Sequence, residues 1–336
     1  MSASCGSHRW TQRPEGSNWG DFGADDQLGR MNTITEEMRL AALREVKEGK
    51  VFALSLPLDY PGGESPDAAR FGPTLFATKI AGHQAYNFPL TEKDITCDDG
   101  VTMCLQYSTQ WDSLAHWGRM FDVDGSGVEV PCYYNGYRAG EATIDADHGG
   151  PKAVSLGIEN MAMTCVQGRG VMVDLVRAYG AGRTWVGYDM LRKAMDDQKV
   201  EVRKGDFLLL YTGYGDAIMA ANKQPDEAVL AQTGAVLDGN DDKLLDWIED
   251  SGVVALCSDN QAVEGFAHDL KAGPNGLLPL HERCLFKLGI HLGELWWLGD
   301  LARHLEQVGR HAFLLTAPPL RLTGAVGSPA TPVATV

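Results

Sequence analysis

Residues 104–118 read Cys-Leu-Gln-Tyr-Ser-Thr-Gln-Trp-Asp-Ser-Leu-Ala-His-Trp-Gly. Side chains alternate along an extended chain, so Leu105, Tyr107, Thr109 and Trp111 share one face and Gln106, Ser108, Gln110 and Asp112 share the other. That second face is wholly polar. At a rise of ~3.3 Å per residue, Gln110 and Asp112 stand ~6.6 Å apart along the strand, near enough for both side chains to reach one ion. On a straight strand Gln106 would lie ~13 Å from Gln110, and it joins the same site only if the chain bends between them. Trp111, Trp117 and the aliphatic neighbours give these polar groups a buried setting, where they need partners. Asp112 with His116 is the more specific pair. A carboxylate anchors a divalent ion, and a nearby imidazole can take a proton from the water bound to it.

The rest of the 336-residue chain narrows what such a site can serve. Its 29 basic and 45 acidic side chains give a formal charge of −16, and an acidic surface repels phosphate backbones and anionic lipid. A nucleic-acid or membrane-surface role is therefore excluded, and a small-molecule substrate is expected. No apolar run approaches the ~20 residues of a membrane span. The opening MSASCGSHRW has no charged segment followed by an apolar one, so a cytoplasmic location is expected. Seven cysteines are scattered without a Cys-x-x-Cys pair, which argues against a disulfide framework or a zinc knuckle. Cys104, Cys257 and Cys284 lie among aliphatic residues and read as small buried hydrophobes.

Helical periodicity marks Glu36–Lys47 behind a capping Thr35, then Tyr188–Asp197, Lys243–Asp250, and a helix opening near Pro279 and stopping at Gly289. Strand signals cover Val51–Leu58, Val101–Gln106, Gly170–Leu175, Asp206–Tyr211, Val253–Ser258, Ile290–Leu295 and Ala312–Ala317. Strands this numerous, between irregular helices, point to an α/β fold with a mixed, largely antiparallel core and surrounding helices. No linker or repeat divides the chain, so residues 1–336 are expected to form one domain with an N-terminal extension of about 50 residues. The polar stretch Gln224–Asp242 reads as a surface insertion. Gly168-Arg169-Gly170 precedes a strand, and Gly213–Gly215 lacks the third spaced glycine of a dinucleotide site, so both read as turns.

The spacing Gln106-x-Ser108-Thr109-Gln110-x-Asp112-x-Leu114-x-His116 resembles the His-x-Gly-Thr-His-x-Asp-x-Pro-x-His signature of the cyclase superfamily of metal-dependent hydrolases. That superfamily includes bacterial kynurenine formamidase and isatin hydrolase. Thr109, Asp112 and His116 are identical to the signature, while glutamine replaces both leading histidines. Trp19-Gly20 with the following Gly23-Ala-Asp-Asp-Gln-Leu-Gly resembles the opening of longer members. Lys204-Gly205-Asp206 with Tyr211-Thr212-Gly213 is similar to a family strand entry, and Gly327-Ser328-Pro329 to its terminal signature. His281 through Glu294 is similar to the second family motif.

The resemblance implies a swivelling β/β/α type of fold assembled as a homodimer or homotetramer. It also implies a divalent metal ion, manganese or zinc, with Gln106, Gln110, Asp112 and His281 as metal-site residues and His116 and Glu294 as catalytic residues. Trp111, Trp117, Asp259 and Glu264 are the candidate substrate-binding residues; the two acids follow a predicted strand end. Trp111, Trp117, Tyr133, Tyr134 and Trp296 supply either an aromatic pocket or core packing. An amide oxygen is a harder, weaker ligand than imidazole and suits manganese, magnesium or calcium better than zinc. Three readings follow: an ion site retuned toward a harder metal, a site using chiefly Asp112, His116, His281 and Glu294, or a metal-free relative.

The function expected is a metal-dependent hydrolase that opens an amide, lactam or lactone bond of a small cyclic or aromatic substrate. In that reading His116 moves the proton between the water and the leaving group. A lyase or cyclase on the same groups and a non-catalytic small-molecule binding protein are the alternatives. Either enzymatic reading requires the two motifs to meet in one pocket, because neither alone offers enough ligands.

Overall fold

Phe207–Tyr211 is an unbroken apolar run, Phe-Leu-Leu-Leu-Tyr, and all five residues are buried. A run with no polar alternation belongs to a strand covered on both faces, and this one lies in the middle of a nine-stranded sheet. The computed structural model describes residues 9–63, 69–266 and 276–336. In chain order the sheet strands are β1 Val51–Ala53, β2 Gln110–Asp112, β3 Gln167–Asp174, β4 Phe207–Tyr211 and β5 Ala255–Ser258. They continue as β6 His291–Glu294, β7 Ala312–Thr316, β8 Gly327–Pro329 and β9 Val333–Thr335.

Their spatial order is β1-β9-β7-β3-β4-β5-β6-β2-β8. The sheet is mixed, as expected. Antiparallel pairing builds both flanks, while β3, β4, β5 and β6 run parallel through the centre. Parallel neighbours need crossover connections, and helices supply them. Helix α1 (Glu36–Leu43) precedes the sheet, α2 (Tyr188–Gln198) lies between β3 and β4, and α3 (Tyr214–Ala221) and α4 (Asp242–Ser251) lie between β4 and β5. Pro279–Leu288, an α-turn running into a π-helix, leads into β6, and α5 (Gly299–Val308) follows it.

Two apolar layers sandwich the sheet. Leu208 and Leu210 of β4 face Leu191 of α2 and Leu244 and Ile248 of α4, while Phe207 and Leu209 face the layer of Leu301 and Leu305 of α5. The expected helices are present, with Thr35 capping α1 by accepting from the Met38 amide. Residues 9–50 are packed into this frame. Trp19 is buried and its indole donates to Phe286 O at 2.7 Å. Arg30 is buried too, giving its guanidinium to the carbonyls of Ile248, Glu249 and Val253. Gly29, at φ +58°, lies so close to Gly289 that a Cβ would come within 2.1 Å of its carbonyl oxygen.

Four expectations need correction. The strand read at Val101–Gln106 is Asp99–Thr102, paired with Thr74–Ala77 in a separate two-stranded ribbon whose Leu75, Phe76 and Val101 are exposed. The alternation read from residue 104 does not begin until Gln110, because the chain turns where the Tyr107 amide donates to Cys104 O. Gln224–Asp242 is more than a surface insertion. Its Ala235–Leu237 pairs in parallel with Thr184–Val186, and Leu230, Ala235 and Leu237 are buried. Cys257 and Cys284 are buried as expected, but Cys104 is only partly so. Among the described residues no helix is long and apolar enough to cross a membrane.

Candidate metal centre and its cavity

Strand β2 lies between β6 and β8, with Gln110 opposite Glu294 and Asp112 opposite Gly327. Alternation puts Gln110 and Asp112 on one face of the sheet and Trp111 on the other. His281 reaches the same face from the turn of helix that opens at Pro279. Ligand atoms of Asp112, His281 and Glu294 lie within 4.8 Å of one another, and all three residues are buried. The two distant motifs therefore converge, as the sequence reading required.

A web of polar contacts orients the group. Gln110 directs its Nε2 to Asp112 Oδ1 and Glu294 Oε2, each at 3.3 Å. His281 Nε2 lies 3.4 Å from Glu294 Oε1, and His281 Nδ1 lies 2.8 Å from Glu264 Oε1. Glu264 also accepts the backbone amides of Leu280 and His281. A carboxylate on the far nitrogen fixes the ring and leaves Nε2 to face the site, the arrangement that orients histidine ligands. His291, on β6, donates from Nδ1 to Asp112 O at 2.9 Å. His116 follows β2 by one turn of chain, with Nε2 3.9 Å from Asp112 Oδ1.

Charge is shared unevenly in this pocket. Burial raises the pKa of Asp112, and the neighbouring Glu294 charge adds to the rise. Burial pushes Glu294 the same way, but its hydrogen bond to His281 and that ring's charge outweigh it and leave Glu294 below its ordinary value. For His281, burial opposes the proton, yet Glu264 and Glu294 hold it and raise the pKa to about 10. A divalent cation at Nε2 competes with that proton.

The residues fit an ion. Among the described residues, Asp112 Oδ2 and Gln110 Oε1 are buried oxygens without a hydrogen-bond partner, an arrangement costly to leave unmet. Two carboxylates, one oriented imidazole and an amide oxygen make a donor set for a hard or borderline divalent ion.

His281 and Glu294 of this group open onto a cavity of about 900 Å³, whose wall also includes Arg70, His116, Trp117, Arg183, Trp185, Tyr214, Asn260 and Glu264. The Trp117 ring meets His281 edge-on at 5.5 Å. The family model described as "Putative cyclase" matches residues 52–265. The chain belongs to the cyclase family. A crystal structure of a novel cyclase shares 32% identity at a TM-score of 0.76, over 95% of this chain and 97% of that one. Isatin hydrolase A from Labrenzia aggregata, bound to benzyl benzoate, shares the fold at 13% identity and a TM-score of 0.56, over 85% of this chain and 93% of that one. An isatin hydrolase bound to the product analogue thioisatinate stands at 13% and 0.55, over 90% and 99%. No curated protein matches the chain.

Within this cyclase-family fold, several expected residues serve other ends. Trp111 is wholly buried on the opposite face, where its ring packs edge-on against Trp296 and its Nε1 donates to Ala317 O. It does not line the cavity described above. Trp296 and Tyr134 are likewise buried in the core. Asp259 uses its carboxylate to accept from the Thr212 amide and hydroxyl and the amides of Gly213 and Gly215, clamping the turn from β4 into α3. Glu264 reaches the cavity but orients His281. Gln106 lies in the turn before β2, its carbonyl accepting from Arg70 and its amide packed against the Gly327 backbone; no described contact joins it to Asp112, His281 or Glu294. His268 lies outside the described residues.

The sequence reading missed Arg70, Arg183, Trp185, Tyr214 and Asn260. A usable signal existed for Arg183 and Trp185, which flank Thr184 at the start of the short strand Thr184–Val186, whose Val186 is buried, just ahead of α2.

Proposed function

We propose that this protein is a metal-dependent hydrolase that opens an amide or lactam bond in a small, flat substrate. The observation that carries the reading is the convergence of Asp112, His281 and Glu294, with unmet buried oxygens on Asp112 and Gln110, beside a cavity that His116, His281 and Glu294 line. Structural relatives named isatin hydrolase support the reaction class.

Asp112, His281 and Glu294, with Gln110, are the residues that would hold the ion. When bound, it supplies Lewis-acid polarisation of the scissile carbonyl and a more acidic water. His116, the least buried of the titratable groups here, takes the proton from the attacking water at Nε2 and returns it to the leaving group. Glu264 keeps His281 from turning, and Trp117 gives a flat substrate an apolar wall. Asn260 selects the bond. Its Nδ2 is fixed by Ala235 O at 2.7 Å, leaving Oδ1 buried without a partner among the described residues. An acceptor so placed suits a substrate N–H, favouring an amide or lactam over a lactone.

A non-catalytic binding role draws on one observation, the Gln110 amide donating to both Asp112 and Glu294 where an ion would otherwise draw those carboxylates together. The deciding experiment is elemental analysis of the purified protein, followed by a screen of amides, lactams, lactones and cyclic imides with added manganese or zinc. Turnover that a chelator abolishes and the metal restores supports the hydrolase. A folded protein that retains neither ion after dialysis and turns over nothing moves the binding reading ahead. Cytoplasmic residence, expected from the sequence, and assembly as a homodimer or homotetramer, implied by the family resemblance, belong to the same proposal, and light scattering on the eluted protein tests the assembly.

A further inference from the structure

The short parallel pair Thr184–Val186 and Ala235–Leu237 has two unlike faces. Val186, Ala235 and Leu237 point into the core. On the other face, Arg183, Trp185 and its register partner Val236 line the cavity. Arg183 is half-buried, and it is held by one edge only. Its Nε donates to Ala231 O at 3.1 Å and its Nη2 to Leu230 O at 3.3 Å, both at the C-terminal end of the short helix Glu227–Ala231. Guanidinium carries five donors in a planar fork, so two backbone carbonyls leave the Nη1 side open.

Among the described residues, no carboxylate stands within ion-pair distance of Arg183. Glu227 on the same cavity wall is exposed and makes no ion pair with it, and Glu264 is committed to His281. Tyr214, also on the wall, is only 6% exposed, yet its hydroxyl has no hydrogen-bond partner among the described residues. Trp185 lies against Gly265 so closely that a Cβ there would meet its ring at 2.4 Å, which restricts the indole on the cavity wall that Arg183 also lines. A half-buried cation without a counter-ion, a tyrosine hydroxyl on the same cavity wall with no hydrogen bond of its own, and an aromatic ring in the same lining together lack one thing, an anionic ligand. In a chain of net charge −16, such a ligand needs a local cation to enter at all.

We infer that Arg183 and Tyr214 form an anion subsite that takes the carboxylate of an aromatic acid, with its ring against Trp185, so that the substrate is a carboxylate-bearing amide or lactam. This rests on the hydrolase reading for the word substrate, but binding alone tests it. The probe is benzoate, with benzamide as its neutral counterpart, read by quenching of tryptophan fluorescence in the full-length protein as purified. Benzoate should bind at least tenfold more tightly than benzamide. Arg183→Gln should erase that preference by weakening benzoate and leaving benzamide unchanged, and Tyr214→Phe should weaken benzoate severalfold. Arg183→Lys, which keeps the charge and loses the fork, should fall between wild type and Arg183→Gln and guards against a misfolded glutamine variant. Equal binding of the two probes by wild type overturns the inference. So does a benzoate preference that survives in Arg183→Gln, since the acid would then be held at the metal centre. If no amide is ever turned over while the Arg183-dependent preference holds, the hydrolase reading fails and the anion subsite stands.

Discussion

Gln110 extends its side-chain nitrogen to within 3.3 Å of Glu294 Oε2 across the seam between two antiparallel strands. The amide thus fills, with a donor, a position where the family signature has an imidazole acceptor. Gln110→His should raise zinc retention by about tenfold or more, because imidazole outcompetes an amide oxygen for a borderline-soft ion. Gln106→His should not, since Gln106 packs against Gly327. Zinc and manganese content after dialysis against each ion, measured for wild type and both variants, checks the pair of expectations.

His116 should matter to turnover and hardly to folding. Its side chain is 20% exposed and its Nε2 stands 3.9 Å from Asp112 Oδ1. His116→Ala should lower kcat by about 10²–10⁴-fold with Tm nearly unchanged, whereas Cys104→Ser should be mild. Equal losses in the two variants would remove His116 from its assigned role.

His291 sets a limit on acid stability. Burial lowers its pKa to about 4 from an ordinary 6.5. Below pH 6.5 the unfolded chain takes up a proton that the folded chain refuses, so stability is full above 6.5 and falls as pH drops toward 4. The span corresponds to about 3 kcal/mol. Urea unfolding at pH 7.5 and pH 4.5 should show a smaller difference in His291→Gln than in wild type.

Asp259 should behave as a structural residue. Burial lifts its pKa to about 6 against the pull of four hydrogen bonds, and those bonds hold Thr212, Gly213 and Gly215 where the chain turns into the first residues of α3. Asp259→Ala should cost about 3 kcal/mol or more and lower Tm by several degrees. In the fraction that remains folded, metal content and KM should stay near wild type, and a selective rise in KM would return Asp259 to the substrate.

The ion site was legible because its pieces are local. Gln110 and Asp112 sit two residues apart in a strand, His116 follows within one turn, and His281 and Glu294 share a second motif. Trp111 could have been placed from the same alternation, since a residue between Gln110 and Asp112 must face the other way. Asp259 could not. An acid after a strand looks the same whether it meets a ligand or three backbone amides, and only the fold brings Thr212 to it. The parallel centre was written in Phe-Leu-Leu-Leu-Tyr at 207–211, a run without polar alternation that signals burial on both faces. Arg183 required tertiary structure, because what distinguishes it is the acid that is not beside it.

The placement of β2 between β6 and β8 bears on how the protein is made. Gln110 and Glu294 are 184 residues apart in sequence, so at synthesis rates of about 5–20 residues per second Asp112 leaves the ribosome roughly 10–40 s before its partner. The Gly327–Pro329 strand that closes its other edge comes later still. During that interval β2 has neither neighbour, and its two polar side chains stay in water. A nascent or truncated chain lacking β6 therefore cannot gather the ion, and the centre comes into being only after Glu294 has been made.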